Sequence, residues 1–194
     1  MSAVETKPSI DFSKLGIDKP SHTVLAIDPG KTSGYCLGTQ VDTKLYLAPG
    51  EAEISLIQMY EAFQNIGLGA EDWQTHIVYE DFQYRNYARM GLDLTPVKII
   101  GIIELFQERW EPFVTFTAQS AASGKSFYTD ATLKDMKVYW GHGKGHARDA
   151  MRHLLQWANF GYGAQFIDMP NTQLELVELD WLLDKHFNGL RLFV

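Results

Sequence analysis

Two apolar runs in this chain end in a carboxylate. Asp28 closes Val24-Leu25-Ala26-Ile27 and precedes Pro29-Gly30, and Glu80 closes His76-Ile77-Val78-Tyr79. Much later, His146 and Asp149 open an amphipathic stretch just after Gly141-His142-Gly143-Lys144-Gly145. Carboxylate oxygens suit Mg²⁺, and imidazole suits Mn²⁺ better. Brought to one point, Asp28, Glu80, His146 and Asp149 would hold two such ions about 4 Å apart, an arrangement that activates water and stabilises a leaving oxygen in phosphoryl transfer. His146 could instead donate or accept a proton. Ionised carboxylates gathered without metal repel one another, so such a site should take up cations readily. Each group alone has an ordinary explanation: Asp28-Pro29-Gly30 can be a simple turn, and a single helical histidine is more often structural.

The elements must therefore converge. Residues 1–22 are polar, with Pro8 and Pro20, and read as an N-terminal arm. Thr23–Asp28 reads as a central strand buried on both faces, and Gly34–Leu37 and Lys44–Leu47 as its antiparallel neighbours. Apolar residues at Ile54, Ile57, Tyr60 and Phe63 predict a helix from Glu51 to about Ile66. Thr75–Glu80 follows that helix and so reads as a strand parallel to the first. Side chains alternate along a strand, so Glu80 rather than Asp81 turns toward Asp28. Thr95 as N-cap and Pro96 as first residue open a helix running to Arg109. Phe113–Thr117 is a strand, Ala118–Thr129 a polar connection, and Leu133–Tyr139 a short helix. A helix over His146–Phe160 puts His146 and Asp149 on one face. Thr172-x-x-Glu175 reads as the capping box of a last helix ending near Asn188-Gly189. The expected class is α/β: a mixed five-stranded sheet, three strands antiparallel and then two parallel, flanked by helices, with an extra C-terminal helix. Residues 23–160 form the core, and 161–194 an extension that packs on the core or a partner.

Composition narrows the classes. At 45% hydrophobic and 21% charged, the chain suits a soluble globular fold. The single Cys36 excludes an internal disulfide and fits a reducing compartment. The start lacks the pattern of a signal peptide, and no apolar run reaches membrane-spanning length, so the cytoplasm (a host's, for a phage protein) is the expected location and no membrane is involved. The net charge of −7 argues against a broad nucleic-acid surface, yet residues 81–152 carry 10 Lys/Arg against 8 Asp/Glu. Phe82, Tyr84, Arg85, Tyr87 and Arg89 interleave aromatics with arginines directly after Glu80, a pattern that stacks on bases and grips phosphates. Lys125, Lys144 and Arg148 are further candidate phosphate contacts, whereas Lys134 and Lys137 read as a solvated face.

Ile27-Asp28-Pro29-Gly30 with Thr32 and Gly34 resembles the opening motif of RuvC-like Holliday-junction resolvases. Tyr79-Glu80-Asp81-Phe82 resembles their second acidic motif, and His146-Ala147-Arg148-Asp149-Ala150 their closing one. The resemblance covers roughly residues 23–160 and includes element order. It implies an RNase H-like fold, Mg²⁺ or Mn²⁺ as a pair of ions on Asp28, Glu80, His146 and Asp149, homodimerisation through a helical face, and cleavage of Holliday junctions or related branched DNA. Compact nucleases of this kind are common in phages. Two other readings stand beside it. One is a non-catalytic branched-DNA-binding or assembly protein of the same fold. The other is a sugar-kinase or actin-like ATPase, whose phosphate loop Asp28-Pro29-Gly30-Lys31-Thr32 satisfies, but which needs two lobes. A P-loop is excluded, because Leu25 stands where that motif needs glycine.

Overall fold

The computed structural model describes residues 22–69, 74–81, 93–111 and 113–180. Strand β1 (His22–Asp28) is a continuous β-prone run, and both of its faces are covered. Leu25 and Ile27 enter one apolar cluster with Met59, Phe63, Ile99 and Phe106, while Val24 and Ala26 enter another with Leu154, Leu155 and Trp157. Each such fully buried aliphatic side chain contributes about 1.5–3 kcal/mol of transfer free energy. The antiparallel neighbours β2 (Ser33–Val41) and β3 (Lys44–Ala52) run longer than the sequence suggests. Strand β4 (Gln74–Glu80) pairs parallel to β1, and β5 (Val114–Gln119) parallel to β4. A sixth strand, β6 (Gln173–Leu176), pairs parallel to β3, giving the order β5-β4-β1-β2-β3-β6.

Helices α1 (Leu56–Gly69) and α2 (Thr95–Trp110) cover one face. Phe106 of α2 meets Tyr60 and Phe63 of α1 at ring-centroid distances of 5.0 and 5.3 Å. The opposite face carries α5 (His146–Phe160), with two short helices, α3 (Ala121–Phe127) and α4 (Asp130–Asp135), beside it. Glycines let α5 lie close. A Cβ on Gly34 would come within 2.0 Å of the His146 carbonyl oxygen, and one on Gly38 within 2.7 Å of Leu154 Cδ1. Cys36 lies between them, free and fully buried, and burial pushes its thiol up, away from nucleophilic use.

Five expectations need correction. Glu51 does not open a helix: it belongs to β3, and α1 begins after Ser55, where Ser55 and Gln58 exchange backbone and side-chain hydrogen bonds in a capping box. Thr95 lies inside α2; its N–H donates to the Asp93 carboxylate, and no side chain caps the helix at Leu94. Thr172-x-x-Glu175 does not start a helix, because Leu174 and Leu176 alternate in β6 and Lys44 pairs with Glu175 at 3.3 Å. The connection over 118–129 holds α3, and the short helix α4 starts at Asp130 and ends at Asp135, so it overlaps only the first residues of the predicted 133–139 span. The N-terminal arm, the segment with Phe82, Tyr84, Arg85, Tyr87 and Arg89, and the end of the C-terminal extension lie outside the described residues.

Candidate active site

The period-two alternation that buries β1 and β4 also aims their last residues. Val24 and Ala26 face α5, so Asp28 does too; Val78 faces α5, and so does Glu80. Asp28 and Glu80 stand one position beyond the last paired residues, Ile27 and Tyr79. The row continues across the sheet: Glu80 is in register with Gln119 of β5, Asp28 with Gly34 of β2, and Gly34 with Glu51 of β3. Helix α5 runs over this row.

Each acidic position meets a group from α5 or α3. His146 Nδ1 lies 2.8 Å from Asp28 Oδ2, with 39% of the His146 side chain exposed and Asp28 largely buried. His153 Nε2 lies 3.1 Å from Glu80 Oε2. The Gln119 amide nitrogen donates to the His153 carbonyl, which turns its oxygen toward His153 Nδ1 at 2.9 Å. Nδ1 therefore donates to Gln119, and a proton must lie between Nε2 and Glu80. Asp149 pairs with Lys125 Nζ at 2.8 Å and with Arg152, which also binds Asp130.

The electrostatics register this crowding. Burial raises the Asp28 carboxyl to about 6; the His146 hydrogen bond opposes the rise, and the charges of Glu80 and Asp149 add to it. Burial works against the Lys125 ammonium, but the bond to Asp149 and the charges of Asp149, Glu80 and Asp28 outweigh it and hold that group above its ordinary value. Glu80 and Asp149 thus act on Asp28, and all three act on a shared cation, Lys125. Beside them opens a cleft of about 430 Å³ lined by Lys125, Lys144, Arg148, Asp149 and Arg152 among others. Lys144 Nζ donates to Thr32 Oγ1 at 3.3 Å. Arg148 is held inward, donating to the Trp140 carbonyl and lying over the Tyr139 ring.

The donor chemistry fits a hard divalent ion: three carboxylates and an imidazole, one carboxyl destabilised in its charged form by burial and then by the charges of the others. Among the described residues, however, no three His, Cys, Asp or Glu side chains close around one point. Asp149 and Glu80 are turned to Lys125, Arg152 and His153 instead, so binding an ion requires these side chains to exchange partners.

RuvC from Thermus thermophilus matches with a TM-score of 0.52 at 14% identity, over 78% of this chain and 98% of that one. The chain has the RNase H-like fold of RuvC. The same bacterial protein in complex with a Holliday junction substrate matches equally, with a TM-score of 0.52 at 14% identity, over 75% of this chain and 96% of that one. The yeast mitochondrial Holliday junction resolvase gives a TM-score of 0.42 at 13% identity, over 77% and 86% of the two chains. No family model matches, and no curated protein matches by sequence. The matched structures lend nothing to a phage origin. Sequence reasoning did not assign His153, Gln119, Arg152 or Glu51 to this region. His153 had a usable signal: it lies seven residues after His146, two turns along the same helix face.

Proposed function

We propose that this chain is an Mg²⁺- or Mn²⁺-dependent endonuclease that resolves Holliday junctions or cuts related branched DNA, leaving 5′-phosphate and 3′-hydroxyl ends. The observation that carries the reading is the placing of Asp28 and Glu80 at strand ends facing α5, which bears Asp149; burial first, and then the charges of Glu80 and Asp149, raise the Asp28 carboxyl to about 6, on the RuvC fold. When bound by Asp28, Glu80 and Asp149, divalent cations would supply an activated water and stabilise the departing 3′ oxygen. The chain's own groups do the rest. Asp28 must be ionised, His146 beside it is exposed enough to ligate or to move a proton, and His153 with Gln119 holds Glu80 in place. Lys125, released from Asp149, and Lys144 face the cleft where a phosphate would lie. Arg148 is better suited to shaping the cleft wall than to gripping DNA, because its guanidinium is already engaged.

Phe82, Tyr84, Arg85, Tyr87 and Arg89 would contact unpaired bases and backbone next to Glu80. A homodimer, with exposed Val97 and Leu105 of α2 and the preceding Leu94 as apolar contact surface, would present two sites to a symmetric junction. The core at 23–160 would carry the chemistry, with the arm at 1–22 and the extension at 161–194 serving the partner or the DNA. Among the described residues no helix is long and apolar enough to cross a membrane. Labelled four-way junction incubated with Mg²⁺ or Mn²⁺ tests the proposal: wild type should cut it, and Asp28→Asn and Asp149→Asn should not. Equal cleavage by the variants would overturn the site.

One observation favours a second reading. The carboxylates are already neutralised by protein groups, and no three-residue ion site is closed among the described residues. A non-catalytic junction-binding protein would bind the same DNA tightly and cut it in neither cation. The ATPase reading gains no such support: the described residues build a single sheet, where that class needs two lobes around a cleft.

A further inference from the structure

We propose that Glu51 is a positioning residue: its carboxylate holds the glycine loop and the first turn of α5 at the place where His146 meets Asp28. Helix α5 begins without a side-chain cap. Its N-cap is Gly145, at φ 106°, which has no side chain to offer. The first N–H groups of a helix have no partner within it. Here the donors converge on a residue more than ninety positions earlier. Glu51 Oε2 accepts from the Lys144 N–H at 2.7 Å, and Oε1 accepts from the N–H groups of Gly145 at 2.7 Å and Ala147 at 3.1 Å. Such a ring of backbone donors is an anion-binding nest, and the chain fills it with its own carboxylate.

The rest of the loop is built around that carboxylate. Gly143 adopts φ 70°, and a Cβ there would stand 2.2 Å from Glu51 Oε2. Gly34, in register with Glu51 on β2, gives the first turn of α5 room to descend. Lys144 is held twice, its N–H by Glu51 and its side chain by Thr32 in the turn that follows Asp28. One acidic side chain thereby ties the end of β3, the glycine loop and the start of α5 into one unit. Burial would raise the Glu51 carboxyl, but the three N–H donors and the charge of His146 outweigh it and hold the group below its ordinary value. Glutamine could not replace it without loss, since its amide would turn an N–H₂ toward a converging N–H.

The positioning claim concerns the protein itself, and its catalytic consequence rests on the nuclease reading above. The test is amide hydrogen exchange and the side-chain nitrogen resonances of His146, measured on the metal-free protein. Glu51→Ala should speed exchange at Lys144, Gly145 and Ala147 by about tenfold or more, with amides of β1 and β4 unchanged. It should also move the His146 resonances. Glu51→Gln should recover part of both effects. Gly143→Ala should speed the same amides more in the native background than in Glu51→Ala, because the clash with the carboxylate is lost there while the strain of a positive φ remains in both. Unchanged exchange or unmoved His146 resonances in Glu51→Ala would overturn the proposal, whether or not the protein cuts DNA. If wild type cuts junctions, Glu51→Ala at saturating DNA should be slower by about tenfold or more, and a wild-type rate would also overturn it. Absence of cleavage by wild type would sink the nuclease reading, while the exchange and resonance results would still decide the role of Glu51.

Discussion

Replacing Asp28 with asparagine should stabilise the cation-free protein. The Asp28 carboxyl is raised from its ordinary 3.8 to about 6, first by burial and then by Glu80 and Asp149 against the opposing His146 bond. A group whose folded pKa lies above its unfolded one costs stability as pH climbs from the lower value to the higher, and the cost is complete above both. A displacement of about two pKa units corresponds to about 3 kcal/mol at 1.36 kcal/mol per unit. Asparagine removes the charge but keeps an oxygen to accept from His146; allowing about 1 kcal/mol for a poorer hydrogen bond leaves a gain of about 2 kcal/mol. For a domain of this size that is about 4–8 °C in melting temperature. The assay is thermal unfolding in EDTA at intervals from pH 3.5 to 8. The gain should be full at pH 7.5, shrink between pH 6 and 4, and vanish below. A variant less stable than wild type at pH 7.5, or a gain of equal size at pH 3.5, would refute the reasoning.

Other consequences follow from the same geometry. Saturating Mn²⁺ at about a hundred times its dissociation constant should stabilise wild type by about 2.7 kcal/mol and Asp28→Asn by much less, as read from melting temperatures. Since Asp28 must ionise to take a cation, Mn²⁺ affinity measured by titration should fall as pH drops below about 6. Gly34→Ala sets a methyl group 2.0 Å from the His146 carbonyl, so it should destabilise the fold by about 2–4 kcal/mol in urea and abolish cleavage. Gln119→Ala frees His153 and with it Glu80, so junction cleavage should slow while junction affinity, measured by gel shift, changes little.

Where chemistry and periodicity coincide, the sequence was enough. The runs ending in Asp28 and Glu80 are buried on both faces, so their strand character and the direction of their last side chains follow from alternation alone. Helix α5 was legible to the residue because its apolar face is strong and a glycine loop precedes it. Local cues misled where a distant partner decides. Thr172 and Glu175 have the spacing of a capping box, but β3 offers an unpaired edge, and the alternation of Leu174 and Leu176 answers it. Glu51 looked like the first residue of a helix because apolar spacing begins nearby. Its partners are backbone N–H groups at 144–147, which carry no side-chain signature. Lys125 was picked out as a phosphate contact for its charge; that its ammonium rests on Asp149 depends on how α3 packs against α5, and α3 itself was unreadable in a stretch of small polar residues.

The most direct test of the account is a crystal soaked in Mn²⁺ and measured for anomalous scattering. Two manganese peaks bracketed by Asp28, Glu80 and Asp149, with Lys125 displaced from Asp149, are the predicted result. Manganese bound elsewhere, with Asp28 still paired to His146, Glu80 to His153 and Asp149 to Lys125 and Arg152 at a concentration that supports cleavage, would contradict it.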